Sequence, residues 1–315
     1  MAASAPFPID PFLSAIAIAH RNTRLYIADR VLPRSGVGRQ EYKYQVFPPE
    51  ETFRLPASEV GRKGRLNEIE IGWTEVIDKT LDFGLEEVIP IDDIDQAASA
   101  GLTNPVDIAV QTLTDYILLG HEKRTADLVF DPAQYPSSNK VQLSGNDQWS
   151  AAHDDSNPID DILTGADAML LPPTHMAIGS DVWRKLRVHP KIVAAIHGNE
   201  GETGIVTREQ VAKLFELDEL LIGQGRLNTA KYGQTAVLGR VWGKHCLLYH
   251  LNPSATAMGG VVSFGATFQY KARFAGSRHD PEVGLRGATR VRTGESVKEA
   301  ITAAQAGYLI EDAVS

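Results

Sequence analysis

Two stretches between Gly36 and Lys79 alternate polar and apolar residues on either side of a loose basic tip, and no other feature constrains the fold as much. Val37 to Phe47 alternates with the period of a strand, and so does Asn67 to Val76. Pro48-Pro49 breaks the first run, and Gly61-Arg62-Lys63-Gly64-Arg65 holds two glycines that an element interior would not keep. A two-stranded ribbon is marginal alone and needs another surface to pack on. The pattern therefore predicts an arm over residues 37–79. Tyr42, Tyr44, Val46 and Phe47 or Phe53 are expected to bury its apolar face on an adjacent subunit, the alternative being packing on the chain's own body. Arg54 is expected among the same contacts, and the tip residues Arg62, Lys63 and Arg65 are expected to meet acidic neighbours.

The flanking segments read differently. Residues 1–36 are rich in Ala and Pro, with a few apolar anchors (Phe7, Phe12, Tyr26, Ile27), and read as an extended arm. Farther on, Asn104-Pro105 is a helix start: an Asn N-cap, Pro at the first helical position and Asp107 in the first turn. Val106, Ala109, Val110, Leu113, Tyr116 and Ile117 then recur at helical spacing, predicting a long helix over about 105–130. The stripe fades after Gly120, so His121-Glu122-Lys123-Arg124 reads as solvated surface. Asn157-Pro158 repeats the start signal, and from there helices and strands alternate to about Asn252. Thr174 to Ile178, Leu220 to Ile222, Ala236 to Trp242 and Cys246 to Leu251 read as strands. Ser180 reads as a helix cap, and Thr207 with Gln210 as a capping box. In the tail, Val261 to Arg273, Leu285 to Arg292 and Ala306 to Ile310 read as strands; Ser296 to Ile301 fits a helix or a strand.

Composition narrows the function. With 31 Lys and Arg against 40 Asp and Glu the formal charge is −9, which disfavours a broadly basic nucleic-acid binder. The single cysteine, Cys246, excludes an intrachain disulfide framework and a cysteine-rich zinc site. The short apolar run from Leu13 to Ala19 is far below the ~20 residues a membrane span needs, so a cytosolic chain is expected.

No catalytic pattern emerges, and no cofactor or metal is expected. Gly36-Val37-Gly38 and Gly223-Gln224-Gly225 lack the third glycine and the helix of a dinucleotide fingerprint. His153-Asp154-Asp155 reads as a polar loop, and His245 and His250, five apart, face opposite sides of a strand. No Gly-x-Ser-x-Gly elbow occurs, and Cys246 sits in an apolar run that suits an inert buried thiol.

An ordered series of motifs resembles the major capsid proteins of tailed double-stranded DNA bacteriophages, of the lambda-like kind. It comprises Ala177 to Leu186, His189 to Ile192, Ile205 to Thr207, Leu214 to Gly223, Asn228 to Ala230 and Val241 to Lys244. Ala28 to Pro33, with Lys43-Tyr44 downstream, and Ala306 to Val314 extend the resemblance over most of the chain. It implies an α+β capsid fold in four parts: an N-terminal arm (1–36), an extended loop (37–79), a peripheral domain (80–155 and 253–315, with the spine helix about 105–130) and an axial domain (156–252). It implies a structural role in the virion: self-assembly as hexamers and pentamers into an icosahedral shell, in the bacterial host cytoplasm. The implied partners are portal, scaffolding and cement proteins, and enclosed double-stranded DNA held without sequence-specific binding; no membrane is involved. Some relatives carry a long cleaved scaffolding extension; the short arm here implies a separate scaffold. The alternatives are an encapsulin-type nanocompartment shell and a cytosolic α/β hydrolase.

Overall fold

The computed structural model of the 315-residue chain describes residues 7–20, 25–46, 55–56, 58–62, 64–69, 74–151, 155–198, 204–231, 233–253 and 262–315. Two sheets organise them, and one long helix links the two.

The first sheet has the order β1-β11-β12-β4, formed by β1 (Arg34–Val37), β11 (Gly265–Asp280), β12 (Ala288–Ile301) and β4 (Leu81–Pro90). Its centre is the long antiparallel hairpin β11–β12, whose register shifts between Tyr270 and Phe274. One face of the sheet carries helix α1 (Pro11–Ala19) and the first half of helix α4 (Pro105–Val129). Leu13 and Ala17 from α1, and Val106, Ala109, Val110 and Leu113 from α4, close on Ile89, Ala275 and Val291. The start of α4 follows its signal: the Asn104 side chain accepts from the Val106 N–H at 3.0 Å, with Pro105 at the first position. Helix α3 (Ile91–Ser99) follows β4.

The described residues 7–20 and 25–37 are thus built into the subunit rather than forming a simple extended arm. Asp10 caps α1, the Asp10 N–H and the Ser14 hydroxyl both bond Ala275 O, and β1 pairs in parallel with β11. Helix α2 (Ala28–Val31) lies between α1 and β1. The physical reason is the i, i+4 spacing of Leu13 and Ala17, which places a buried stripe on a helix that the scattered prolines obscure in the sequence.

The second sheet has the order β5-β13-β10-β6-β7, with β5 (Lys140–Gln142), β6 (His175–Gly179), β7 (Glu219–Gly223), β10 (Cys246–Tyr249) and β13 (Gly307–Glu311). Both of its faces are covered, so its strands read as continuous apolar runs. Met176, Ala177 and Ile178 are all fully buried, as are Cys246 to Tyr249. One face packs against α5 (Pro158–Ala168), α6 (Ser180–Leu186), α7 (Pro190–His197) and α8 (Arg208–Leu214), through Ile162, Val182, Leu186, Ile192 and Val211. The other packs Ala177, Leu221, Leu247 and Leu309 against Val31, Leu32, Val129, Trp242 and Phe264. This second cluster joins the α/β body to the end of α4. A small ribbon, β8 (Arg226–Asn228) with β9 (Leu238–Arg240), hangs from the same body.

Several boundaries move. The tail does not wholly complete the first body: β13 inserts between β5 and β10 of the α/β sheet, bringing residues 140–142 and 307–311 into it. Chain order could not reveal this, because β13 pairs with strands 58 or more residues earlier. Ser296 to Ile301 is strand, paired with Leu81, Asp82 and residues 265–270. The basic strand begins at Ala288 and not at Leu285, which is 96% exposed at the hairpin tip. Ser180 is the first residue of its helix and not its cap, and Asn157 precedes Pro158 without making a side-chain capping bond. Thr207 and Gln210 form the capping box in both directions.

Candidate functional site

The ribbon strands are β2 (Glu41–Val46) and β3 (Thr74–Lys79), antiparallel, with Tyr44 opposite Val76 and Tyr42 opposite Asp78. Alternation puts Tyr42, Tyr44 and Val46 on one face. That face rests on the chain's own first sheet: Tyr42 stands 4.6 Å from Phe268, ring centre to ring centre, and Tyr44 stacks on it at 5.1 Å. Tyr42, Tyr44, Phe268 and Ala300 form a small core that Val46 flanks. The expectation that Tyr42, Tyr44 and Val46 bury on a neighbour is therefore corrected. They anchor the ribbon's base within the subunit, because Phe268 on β11 offers an aromatic platform that no local reading of 37–79 could supply.

The described second strand is Thr74–Lys79, and residues 70–73 of the expected Asn67 to Val76 strand lie outside the described residues. Alternation at Asn67 to Ile69 finds no partner strand among the described residues, so it remains irregular. Phe47, Phe53, Arg54 and Lys63 lie outside the described residues. The described tip is a turn, with the Gly64 N–H bonded to Gly61 O at 2.7 Å, and Arg62 and Arg65 are exposed on it. Leu55 is 96%, Leu66 81% and Ile69 55% exposed. These three large apolar side chains are left uncovered by the subunit.

The second half of α4 holds the group of residues that local reading missed. His121 and Glu122 are buried, not solvated. The Glu122 carboxylate accepts from Ile27 N–H at 2.9 Å, from Ala28 N–H at 2.8 Å and from the Trp242 indole N–H. It thereby caps α2 from another helix and ties it to the α/β body. Burial pushes its carboxyl up, against those three hydrogen bonds. Immediately before it on the same helix, His121 is clamped at both ring nitrogens: Nδ1 lies 2.7 Å from Glu299 of β12 and Nε2 3.2 Å from Asp29 of α2. Arg34 bridges Asp29 at 2.7 Å and Glu295 at 2.9 Å, and Glu295 also receives Arg273 at 2.8 Å. Arg124 bonds Glu299 at 3.0 Å and lies over the Phe83 ring. A recoverable signal existed: the buried stripe resumes at Thr125, Ala126 and Val129, so the residues between share its face.

Among the described residues no catalytic set is assembled. Ser156 Oγ lies 3.1 Å from His189 Nε2, but both are buried, and no carboxylate orients the other ring nitrogen. Burial, reinforced by Lys191, lowers His189 to about 4. Cys246 is fully buried, and burial pushes its thiol up. His245 Nδ1 accepts from the Asp312 N–H. His153 and Asp154 lie outside the described residues. Among the described residues no three of His, Cys, Asp and Glu converge on a metal position, and no helix is long and apolar enough to cross a membrane.

The arrangement is two sheets on a long helix, with a ribbon resting by its base on the first sheet. The family model described as Phage major capsid protein E matches residues 123–234. The chain is 44% identical over 312 residues to the major capsid protein of Pseudomonas phage JBD67, covering 99% of both chains. It is 29% identical over 311 residues to that of Burkholderia phage BcepMu, covering 96% of this chain and 95% of the other. A phage-related protein from Bordetella bronchiseptica RB50, solved by crystallography, superposes with a TM-score of 0.76 at 25% identity over 98% of each chain. The chain belongs to the phage major capsid proteins, with their α+β fold. It is a structural component of the virion that self-assembles into the head shell, and not an enzyme. That membership sets aside the hydrolase and the nanocompartment.

Proposed function

We propose that the subunit forms hexamers and pentamers that close an icosahedral shell around double-stranded DNA, with the ribbon's far segment lying across a neighbouring subunit. The α/β body serves as the axial domain at capsomer centres, and the first sheet with α4 serves as the peripheral domain. One observation carries this reading: Leu55, Leu66 and Ile69, in the segment between the two ribbon strands, are exposed on the isolated subunit. Ordering such a segment on a partner couples folding to assembly, which keeps each contact weak enough for errors to be corrected. Phe47, Phe53 and Arg54 join those contacts. The basic tip, Arg62, Lys63 and Arg65, contributes steering toward the acidic surface of other copies more than affinity.

Closure needs a separate scaffold, a portal at one vertex and, in the finished head, cement proteins. The net charge of −9 suits a lumen that leaves the genome free to slide during packaging. The test replaces Leu55, Leu66 and Ile69 together by Ser and follows assembly by negative-stain microscopy and sedimentation. Closed shells are expected to fall at least tenfold while folded capsomers or monomers accumulate. An undiminished yield of shells removes the proposal.

A further inference from the structure

His121 is placed where a single proton governs three segments. Asp29 belongs to α2, Glu299 to β12, and the histidine to α4; both ring nitrogens face carboxylate oxygens. A neutral imidazole has one N–H and one lone pair, so it can donate to one of these carboxylates only and must point its lone pair at the other. Only the doubly protonated ring satisfies both sides. His121 is 1% exposed, so water does not replace the lost bond in the closed arrangement. Asp29 is 45% exposed and lines a cleft of about 400 Å³ with Tyr26, Arg34, His121, Gln269 and Arg273, which gives protons a route.

We propose that His121 is a proton-operated clasp that fastens residues 26–37 to the long helix and to β12, closed when the ring carries both protons and loosened when it loses one.

The surrounding charges decide the sign. Arg34 from β1 and Arg273 from β11 are both engaged by Glu295 of β12, and Arg124, on the helix itself, shares Glu299. Glu122, adjacent on the helix, is occupied by its own N–H donors. Burial opposes charge on His121, but the hydrogen bonds it donates to Asp29 and Glu299 outweigh it and hold the ring above its ordinary value. Its contribution is therefore complete below about pH 6.5 and is lost as pH rises through the folded value. Glu299, also buried, is lowered to about 2 by its bonds and attraction to His121 and by Arg124. Asp29 is likewise lowered, by His121 and Arg34, against the effect of burial. Those two carboxylates contribute above about pH 4, losing their part as the solution becomes acidic. The clasp is tight in mildly acidic to neutral solution and opens on the alkaline side.

Two measurements on the full unassembled chain test this without reference to how copies pack. Exchange of the His121 ring C–H, followed by mass spectrometry, is expected to give a titration midpoint above 6.5. Backbone protection factors for residues 26–37 are expected to fall with rising pH by up to about tenfold per unit until that midpoint is passed. In His121→Gln the pH slope in this segment is expected to vanish, while protection in β6 and β10 stays unchanged. Glu299→Gln provides a second variant that keeps the ring and is expected to lower its midpoint. A wild-type midpoint at or below 6.5, or protection of 26–37 that does not change with pH, overturns the clasp.

Discussion

The two halves of the long helix α4 solve the same packing problem with different chemistry. The first half buries Val106, Ala109, Val110, Leu113 and Ile117, and its partners Leu13, Ala17, Ile89, Ala275 and Val291 are all apolar. The second half buries His121, Glu122 and Thr125 on the continuation of the same stripe, returning to Ala126 and Val129 only at its end. Apolar packing is non-directional and tolerates small slips of α1 along the helix. The polar half fixes α2, β12 and the Trp242 loop in one arrangement, since each bond has a distance and a direction. A subunit that must present several surfaces in fixed relation gains registration from the second half and cohesion from the first.

The largest expected effect lies in the polar half. Glu122→Ala strands two backbone N–H groups and an indole N–H in the core, and the urea-unfolding free energy is expected to drop by about 3–5 kcal/mol. A loss under about 1 kcal/mol would show that water replaces the carboxylate and would break the contrast. Next comes Leu113→Ala in the apolar half, expected to cost about 2–4 kcal/mol by cavity formation. Its penalty should be equal at pH 6 and pH 9 in the same assay, whereas the penalty of His121→Gln should shrink at pH 9. The smallest effect concerns how the helices begin. Asn104→Ala is expected to cost about 1 kcal/mol because Asn104 caps α4, and Asn157→Ala only a few tenths. Equal losses at both positions in thermal unfolding would mean that the Asn-Pro pair acts without the side-chain bond.

What was legible in the chain follows from the range over which each signal acts. Asn104-Pro105, the Thr207–Gln210 box and the apolar runs at 175–179, 219–223 and 246–249 are local, and all became elements near their expected limits. The ribbon was legible as a ribbon, but its face was assigned to the wrong surface. Tyr42 and Tyr44 look the same whether Phe268 or another subunit receives them, because nothing within 37–79 names the receiver. His121-Glu122 was misread for a related reason: charged residues on a helix usually face water, and their exception depends on partners 92 to 178 positions away.

By itself, the order of residues determined where the long helix and the strands of the α/β sheet lie, the even spread of apolar positions that makes a core, and the absence of a recognisable catalytic motif. These depend on backbone preference and periodicity within a dozen residues. Tertiary structure alone decided that β13 completes the α/β sheet, that Phe268 receives the ribbon, and that His121 stands between Asp29 and Glu299. Each of those is a meeting of groups far apart in the chain. Closing loops of that length favours no one partner over another, and the choice is made only when burial and hydrogen bonding across the assembled elements are satisfied together.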